Sequence, residues 1–202
     1  TGLAEPGPIM QAINCDTNIT DHYHLNGVVT CVDALNFFDE IRENSEVTSQ
    51  IAVADRLLLT KTDLTSASDN TSVELDLAKL NPGAMVQRIV KGVVVPEQVL
   101  NAGLYGNTTG KIDVVGWLRE DVYAHPNNKS QIRANTRHQE SIRADCFFIS
   151  HSVSWAGLAG WCGLMGETFG KKLLRVKGLI SVSEANKPVI VHGVYGVFDK
   201  PV

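Results

Sequence analysis

The chain has 202 residues, 44% hydrophobic and 20% charged, with a formal net charge of -4 and a pI near 5.8. That is enough apolar material for one large packed domain or two small ones, and it argues against disorder. There is no basic footprint for nucleic acid and no apolar run of the roughly 18 residues a membrane span needs, so a soluble protein is expected, with neither nucleic acid nor membrane as partner.

The first residues, "TGLAEPGPIM", carry no initiator methionine, basic segment or apolar leader, and they read as the interior of a longer sequence. Cys15, Cys31, Cys146 and Cys162 are scattered without a C-x-x-C pair. The expectation is buried thiols in a reducing, cytoplasmic setting. From about residue 25 to 100, β-rich runs alternate with helical patterns. "NGVVTCVDA" predicts a buried strand, "ALNFFDEIRENSEVTSQIAVA" helical material, and "DRLLLTKTD" a second strand. "SVELDLAKLN" predicts a helix on which Val73, Leu75, Leu77, Ala78 and Leu80 mostly share a face, and "GAMVQRIVKG" a third strand. This alternation builds a parallel sheet covered by helices.

Residues 101–143 are rich in Gly, Asn, Thr and charge and read as a connector, with one short helical piece around Val114 to Leu118. After it, "RADCFFISHSVS" predicts a strand and "SWAGLAGWCGLMGETFG" an apolar helix capped by Ser154. "KLLRVKGLISV" and "KPVIVHGVYGVF" predict an antiparallel pair. The domains expected are therefore 1–100, an α/β portion, and 144–202, a smaller α+β domain.

One stretch points to chemistry. If Arg56 to Leu59 is a strand, then Thr60, Lys61 and Asp63 fall at its carboxyl end, where open α/β sheets bind ligands. A carboxylate there can accept two hydrogen bonds from guanine, from N1–H and the exocyclic amine, a pair adenine does not offer. The lysine stem can lie over the base. Set against this, Lys61 and Asp63 can simply solvate a strand end, with Asp63 opening a turn.

Taken with "TGLAEPGP", "GVVTCVDA", "QIAVADRLLLTKTDL" and "LNPGA", in that order and spacing, the loop resembles the CobW-type (cobalamin-synthesis CobW-like) family of P-loop GTPases and metallochaperones. The resemblance runs on through "GKKLLRVKGLISV" and "KPVIVHGVYGVF", which look like the CobW C-terminal domain. It implies an incomplete parallel P-loop GTPase sheet with flanking helices, followed by a CobW C-terminal-type domain. Thr1 and Gly2 look like the end of the switch motif, with the Gly2 N–H facing the γ-phosphate. Thr60-Lys61-Thr62-Asp63 stands where the family has Asn-Lys-x-Asp; the Thr60 hydroxyl can brace the loop but lacks the amide. Asn81, with Pro82, resembles the last base-contacting region.

The implied cofactors are GTP and Mg2+, the implied cargo is zinc (Zn2+) or cobalt (Co2+), and the implied partners are a guanine nucleotide and a metal-dependent client protein, with homo-oligomerisation open. No G-x-x-x-x-G-K-[ST] occurs: "YGNTTGKI" and "GETFGKKL" each fail on glycine spacing and on the residue after lysine. These residues alone are thus expected to hydrolyse no GTP, the P-loop of the family lying upstream of the switch. Cys15, His22 and His24 use zinc vocabulary but offer only three ligands close together. Ser150, His151 and Asp145 lack a nucleophile elbow. The rival reading is a non-catalytic interaction or metal-binding module working through the C-terminal domain.

Overall fold

The computed structural model describes residues 2–23, 25–100, 103, 114–118, 142 and 144–201. In chain order its elements begin with helices α1 (Pro6–Cys15) and α2 (Thr17–Thr20), strand β1 (Val29–Asp33), helices α3 (Phe37–Glu43) and α4 (Ser45–Val53), and strand β2 (Arg56–Thr60). Helix α5 (Ala67–Leu80), strand β3 (Met85–Ile89) and the short helices α6 (Pro96–Leu100) and α7 (Val114–Leu118) follow. Last come helix α8 (Trp155–Phe169), a 3-10 turn (Gly170–Lys172) and strands β4 (Arg175–Ile180), β5 (Val189–Val194) and β6 (Val197–Phe198). Two compact units result: Thr1–Ala4 with Asn26–Asp145, and Glu5–Leu25 with Cys146–Val202.

In the first unit β1, β2 and β3 are parallel and lie in that spatial order, with Asp33, Thr60 and Ile89 side by side at their carboxyl ends. Successive crossovers step across the sheet in one direction, and right-handed crossovers then all lie on one face. The core follows from this. Phe37 and Ile41 of α3, Ile51 of α4, and Val73, Leu77 and Leu80 of α5 close over Val32, Leu57 and Leu59. Each such fully buried side chain contributes about 1.5–3 kcal/mol by leaving water. The opposite face of β1 and β3 shows Val29, Cys31 and Met85 to solvent.

The helical material before β2 is broken at Asn44, whose extended backbone ends α3 through its N–H to the Glu40 carbonyl and starts α4. Helix α5 begins at Ser66, whose Oγ accepts the Asp69 N–H at 3.1 Å. Its buried stripe is Asn70, Val73, Leu77 and Leu80, three and four residues apart. Leu75, expected to share that face, is 58% exposed because it lies two positions from Val73, well round the helix.

The second unit packs α8 against an antiparallel sheet in the order β4-β5-β6, around Leu158, Val182, Val189 and Val191. Ser154 caps α8 by accepting the Gly157 N–H at 3.1 Å. Residues 166–173, the "GETFGKKL" segment, form the end of that helix, its 3-10 turn and the next residue, and build no phosphate loop. The strand expected at "RADCFFISHSVS" does not form a ladder. Phe147, Phe148 and Ile149 are exposed, and among the described residues of the stretch only Val153 makes a bridge, an isolated parallel one to Val182.

Helix α1 was not legible as a helix in the sequence, and it is grouped with the second compact unit. Pro6 occupies the first turn, where its missing N–H costs nothing. The helix is fastened to the second unit: Gln11 Nε2 donates to the Tyr195 carbonyl at 3.3 Å, and Asn14 Nδ2 to Asp199 Oδ1 at 2.7 Å. Asp199 in turn pairs with His192 Nδ1 at 2.8 Å. The cysteine expectation is also corrected. Cys15, Cys31 and Cys146 are exposed and only Cys162 is partly covered, since Cys31 alternates onto the open face of β1. Apart from Gly103, Val114–Leu118 and residue 142, the expected connector, with "YGNTTGKI" inside it, lies outside the described residues.

Candidate functional site at the carboxyl edge of the parallel sheet

The end of β2 is tied to β1 twice. Thr60 Oγ1 donates to the Val32 carbonyl at 3.0 Å, and the Ala34 N–H donates to the Thr60 carbonyl at 3.0 Å. Thr60 therefore spends its hydroxyl on the scaffold. Lys61 then turns the chain with a φ of 57°, a left-handed conformation that costs a non-glycine residue free energy and persists only where its surroundings hold it.

Two anchors hold it. The Leu64 N–H closes the turn on the Lys61 carbonyl at 3.0 Å. Behind the loop, Asn70 is 3% exposed; its Nδ2 donates to the Thr62 carbonyl at 3.0 Å and its Oδ1 accepts from the Thr65 hydroxyl at 2.8 Å. Asp63 is carried on this braced turn. It is exposed, and among the described residues its carboxylate has no hydrogen-bond partner.

Lys61 Nζ lies 2.5 Å from Asp33 Oδ2, at the end of the neighbouring strand. The Asp33 carboxylate also accepts from the Leu35 N–H and from Asn36 Nδ2, both at 2.9 Å. Burial works to raise its pKa, but the hydrogen bonds from Lys61, Asn36 and Leu35 and the lysine charge outweigh it and hold the carboxyl below its ordinary value. The same pairing raises the Lys61 ammonium above its usual value. Asp33 and Asn70 had gone unnoticed in the sequence: one is a single acid at a strand end, the other a polar residue inside an otherwise ordinary helix.

The remaining candidates lie elsewhere. Asn81 is consumed by the scaffold: its Nδ2 reaches the carbonyls of Ile51, Ala52 and Ala54 at 2.8, 3.2 and 2.8 Å, and its Oδ1 accepts the Ala84 N–H at 3.1 Å. In this arrangement its amide braces the end of α4 and the entry to β3. Gly2 has a φ of 61°, which suits glycine. Gln50 of α4 donates to the carbonyls of Gly2 and Ala4 at 2.9 and 2.8 Å, so Gly2 is held on the helix that leads into the start of β2. No hydrogen bond among the described residues joins Gly2 to the Lys61–Asp63 turn. Cys15 and His22 are exposed, His24 lies outside the described residues, and no group of three His, Cys, Asp or Glu suited to a metal occurs among those described.

What the carboxyl edge can do chemically is narrow. Among the described residues it presents the unpaired Asp63 carboxylate on the same turn as Lys61, whose ammonium is already paired with Asp33. No helix of the described residues is long and apolar enough to cross a membrane.

Residues 1–88 match the family described as CobW/HypB/UreG, nucleotide-binding domain, and residues 142–201 match the cobalamin synthesis protein cobW C-terminal domain. The chain is 27% identical over 198 residues to the zinc chaperone YjiA of Escherichia coli (strain K12), covering 98% of this chain and 57% of that protein. It is 32% identical over 109 residues to the zinc-regulated GTPase metalloprotein activator 1 of Schizosaccharomyces pombe, covering 53% of this chain and 26% of that one. The crystal structure of Zn(II)-bound YjiA GTPase from E. coli superposes with a TM-score of 0.61 at 21% identity, over all of this chain and 58% of its own, a likeness of fold. The chain thus spans little more than half of the E. coli relative. With both domains present in order, and with the three-stranded parallel sheet and the antiparallel sheet that go with them, the chain belongs to the CobW family.

Proposed function

We propose that this chain forms the guanine-reading edge and the C-terminal domain of a GTP-dependent metallochaperone. One observation carries the reading: Asp63 stands exposed at the carboxyl end of β2, on a braced turn two residues after Lys61, with no hydrogen-bond partner among the described residues. Asp63 accepts guanine N1–H and the exocyclic amine, Lys61 covers the base plane, and Thr60 holds the loop. Gly2 is the proposed switch glycine, contacting the γ-phosphate of GTP. We assign neither the phosphate cradle nor the Mg2+ ligands to any residue of this chain.

The cargo is a transition metal, zinc or cobalt, passed to a metal-dependent client. The names of the E. coli and S. pombe relatives support zinc. Four cysteines without a disulfide, three of them exposed, support work in the cytoplasm.

The test is a competition titration with GTP, ATP and XTP on the chain and on Asp63→Asn. The expected result is preference for GTP in the unaltered chain and for XTP in the variant, because the substitution turns an acceptor into a donor. Equal affinity for GTP and ATP, or no change on substitution, overturns the reading. A second reading, an interaction module, is favoured by the apolar residues that α8 exposes, Trp155, Trp161, Leu164 and Phe169. That module would bind its partner equally well with Asn at position 63.

A further inference from the structure

Two residues share the ion pair at the sheet edge, and the geometry distinguishes the one that sets the position from the one that is placed. The Asp33 side chain is 15% exposed, and its carboxylate is fixed from three directions by Leu35 N–H, Asn36 Nδ2 and Lys61 Nζ. Two of those donors belong to the turn that follows β1, so the carboxylate keeps its direction whatever the lysine does. Lys61 is 49% exposed and, among the described residues, makes no side-chain hydrogen bond except to Asp33. A free lysine would sweep its long stem through solvent. Here the ammonium is pinned to the end of β1 while the Cα sits just past β2, so the stem bridges the carboxyl ends of the two strands.

We propose that Asp33 is a positioning residue of the nucleotide site: it stretches the Lys61 stem into a fixed apolar strip against which the purine stacks, while Asp63 reads the base edge. This rests on the guanine reading of Asp63 but makes a separate claim. Purine stacking is shared by guanine and adenine, so Asp33 governs affinity, and Asp63 governs the choice between them.

The test is a double-mutant cycle on the full chain, Asp33→Asn and Lys61→Met singly and together, titrated with GDP and ADP and followed by NMR. Each single variant is expected to weaken GDP by about fivefold, and the double variant to be no weaker than either, because both changes release the same stem. The GDP-to-ADP ratio stays unchanged in all of them. Guanosine should also shift the Lys61 methylene signals upfield by ring current in the unaltered chain but not in Asp33→Asn, a signature that a merely structural aspartate would not produce. Asp33→Glu restores part of the affinity. Independent, multiplying losses overturn the proposal, as does a full ring-current shift in Asp33→Asn. Lys61→Met changes an exposed side chain and needs no rescue of folding; if it binds GDP as well as the unaltered chain, the pairing places nothing and the proposal fails. Lack of a GDP-over-ADP preference in the unaltered chain counts against Asp63 as the guanine reader, and the cycle, run with either nucleotide, still decides Asp33. Absence of binding by both nucleotides overturns both readings.

Discussion

The ring of Tyr195 lies so close to Gly7 that a Cβ added there would meet its Cδ1 and Cγ at 2.6 Å. Tyr195 is buried, its hydroxyl donates to Glu5, and its backbone carries a φ of 52°. These are the parts of a ring that has no room to retreat. Gly7→Ala is therefore expected to destabilise the second unit by about 1–3 kcal/mol, the usual cost of overpacking. Urea denaturation measures this; an unchanged midpoint would mean that the ring gives way freely.

Asn81 separates two roles that the sequence could not. Its amide serves three carbonyls and one N–H around the end of α4 and the start of β3. Asn81→Ala should cost about 1–3 kcal/mol by leaving those groups unsatisfied. Asn81→Asp should cost more, since it turns a carboxylate toward carbonyl oxygens. A variant that keeps its stability but loses guanine affinity would restore the base-contact role.

Acid should loosen the first unit by a predictable route. The two-pronged hydrogen bond from Arg88, at 2.6 and 2.8 Å, holds the Glu74 carboxyl below its ordinary range, against the opposing effect of burial. The Asp33 carboxyl is likewise held low. For a carboxylate depressed in the folded state, the stabilisation is complete above the unfolded value, about 4, and disappears as pH falls through the lower folded value. Stability measured between pH 7 and pH 3 should thus fall less steeply for Glu74→Gln than for the unaltered chain. An identical slope would show that the pair contributes nothing.

The turn carrying Asp63 depends on Asn70. Asn70→Ala is expected to cost about 1–3 kcal/mol, because the Thr62 carbonyl and the Thr65 hydroxyl lose their partner at a buried position. Amide exchange over residues 61–65 should accelerate with it. Asn70→Asp keeps an acceptor for Thr65 but cannot donate to Thr62, so it should accelerate exchange as well. Exchange rates unmoved in both variants would show that the Leu64–Lys61 turn holds the loop unaided.

Local pattern carried most of the fold. β-Branched and leucine runs marked β1, β2, β4 and β5, and Ser154 marked the start of α8 correctly, because these signals act within a few residues. The failures are all tertiary. "CFFIS" has strand composition, but a strand is made by its neighbour, and residues 146–150 have no ladder partner among those described. Leu75 and Cys31 went to solvent because periodicity gives a phase without saying which phase is covered. At the candidate site, Lys61 and Asp63 were visible as charges at a strand end, whereas Asp33 lies 28 residues away from Lys61 in sequence. Only the parallel register of β1 and β2 brings the two together.

The way the sheet is wound has one more consequence. β1 ends the strand order and offers its outer edge, while every crossover of the described strands runs the same way. A strand paired to that edge through right-handed connections in the opposite direction would put its helix on the side of the sheet where Val29, Cys31 and Met85 are exposed. The reversal of winding opens a cleft at the carboxyl ends of the two strands where it occurs. One wall of that cleft would be the turn after β1, which begins at Asp33. The aspartate that grips Lys61 would then stand at the lip of that cleft.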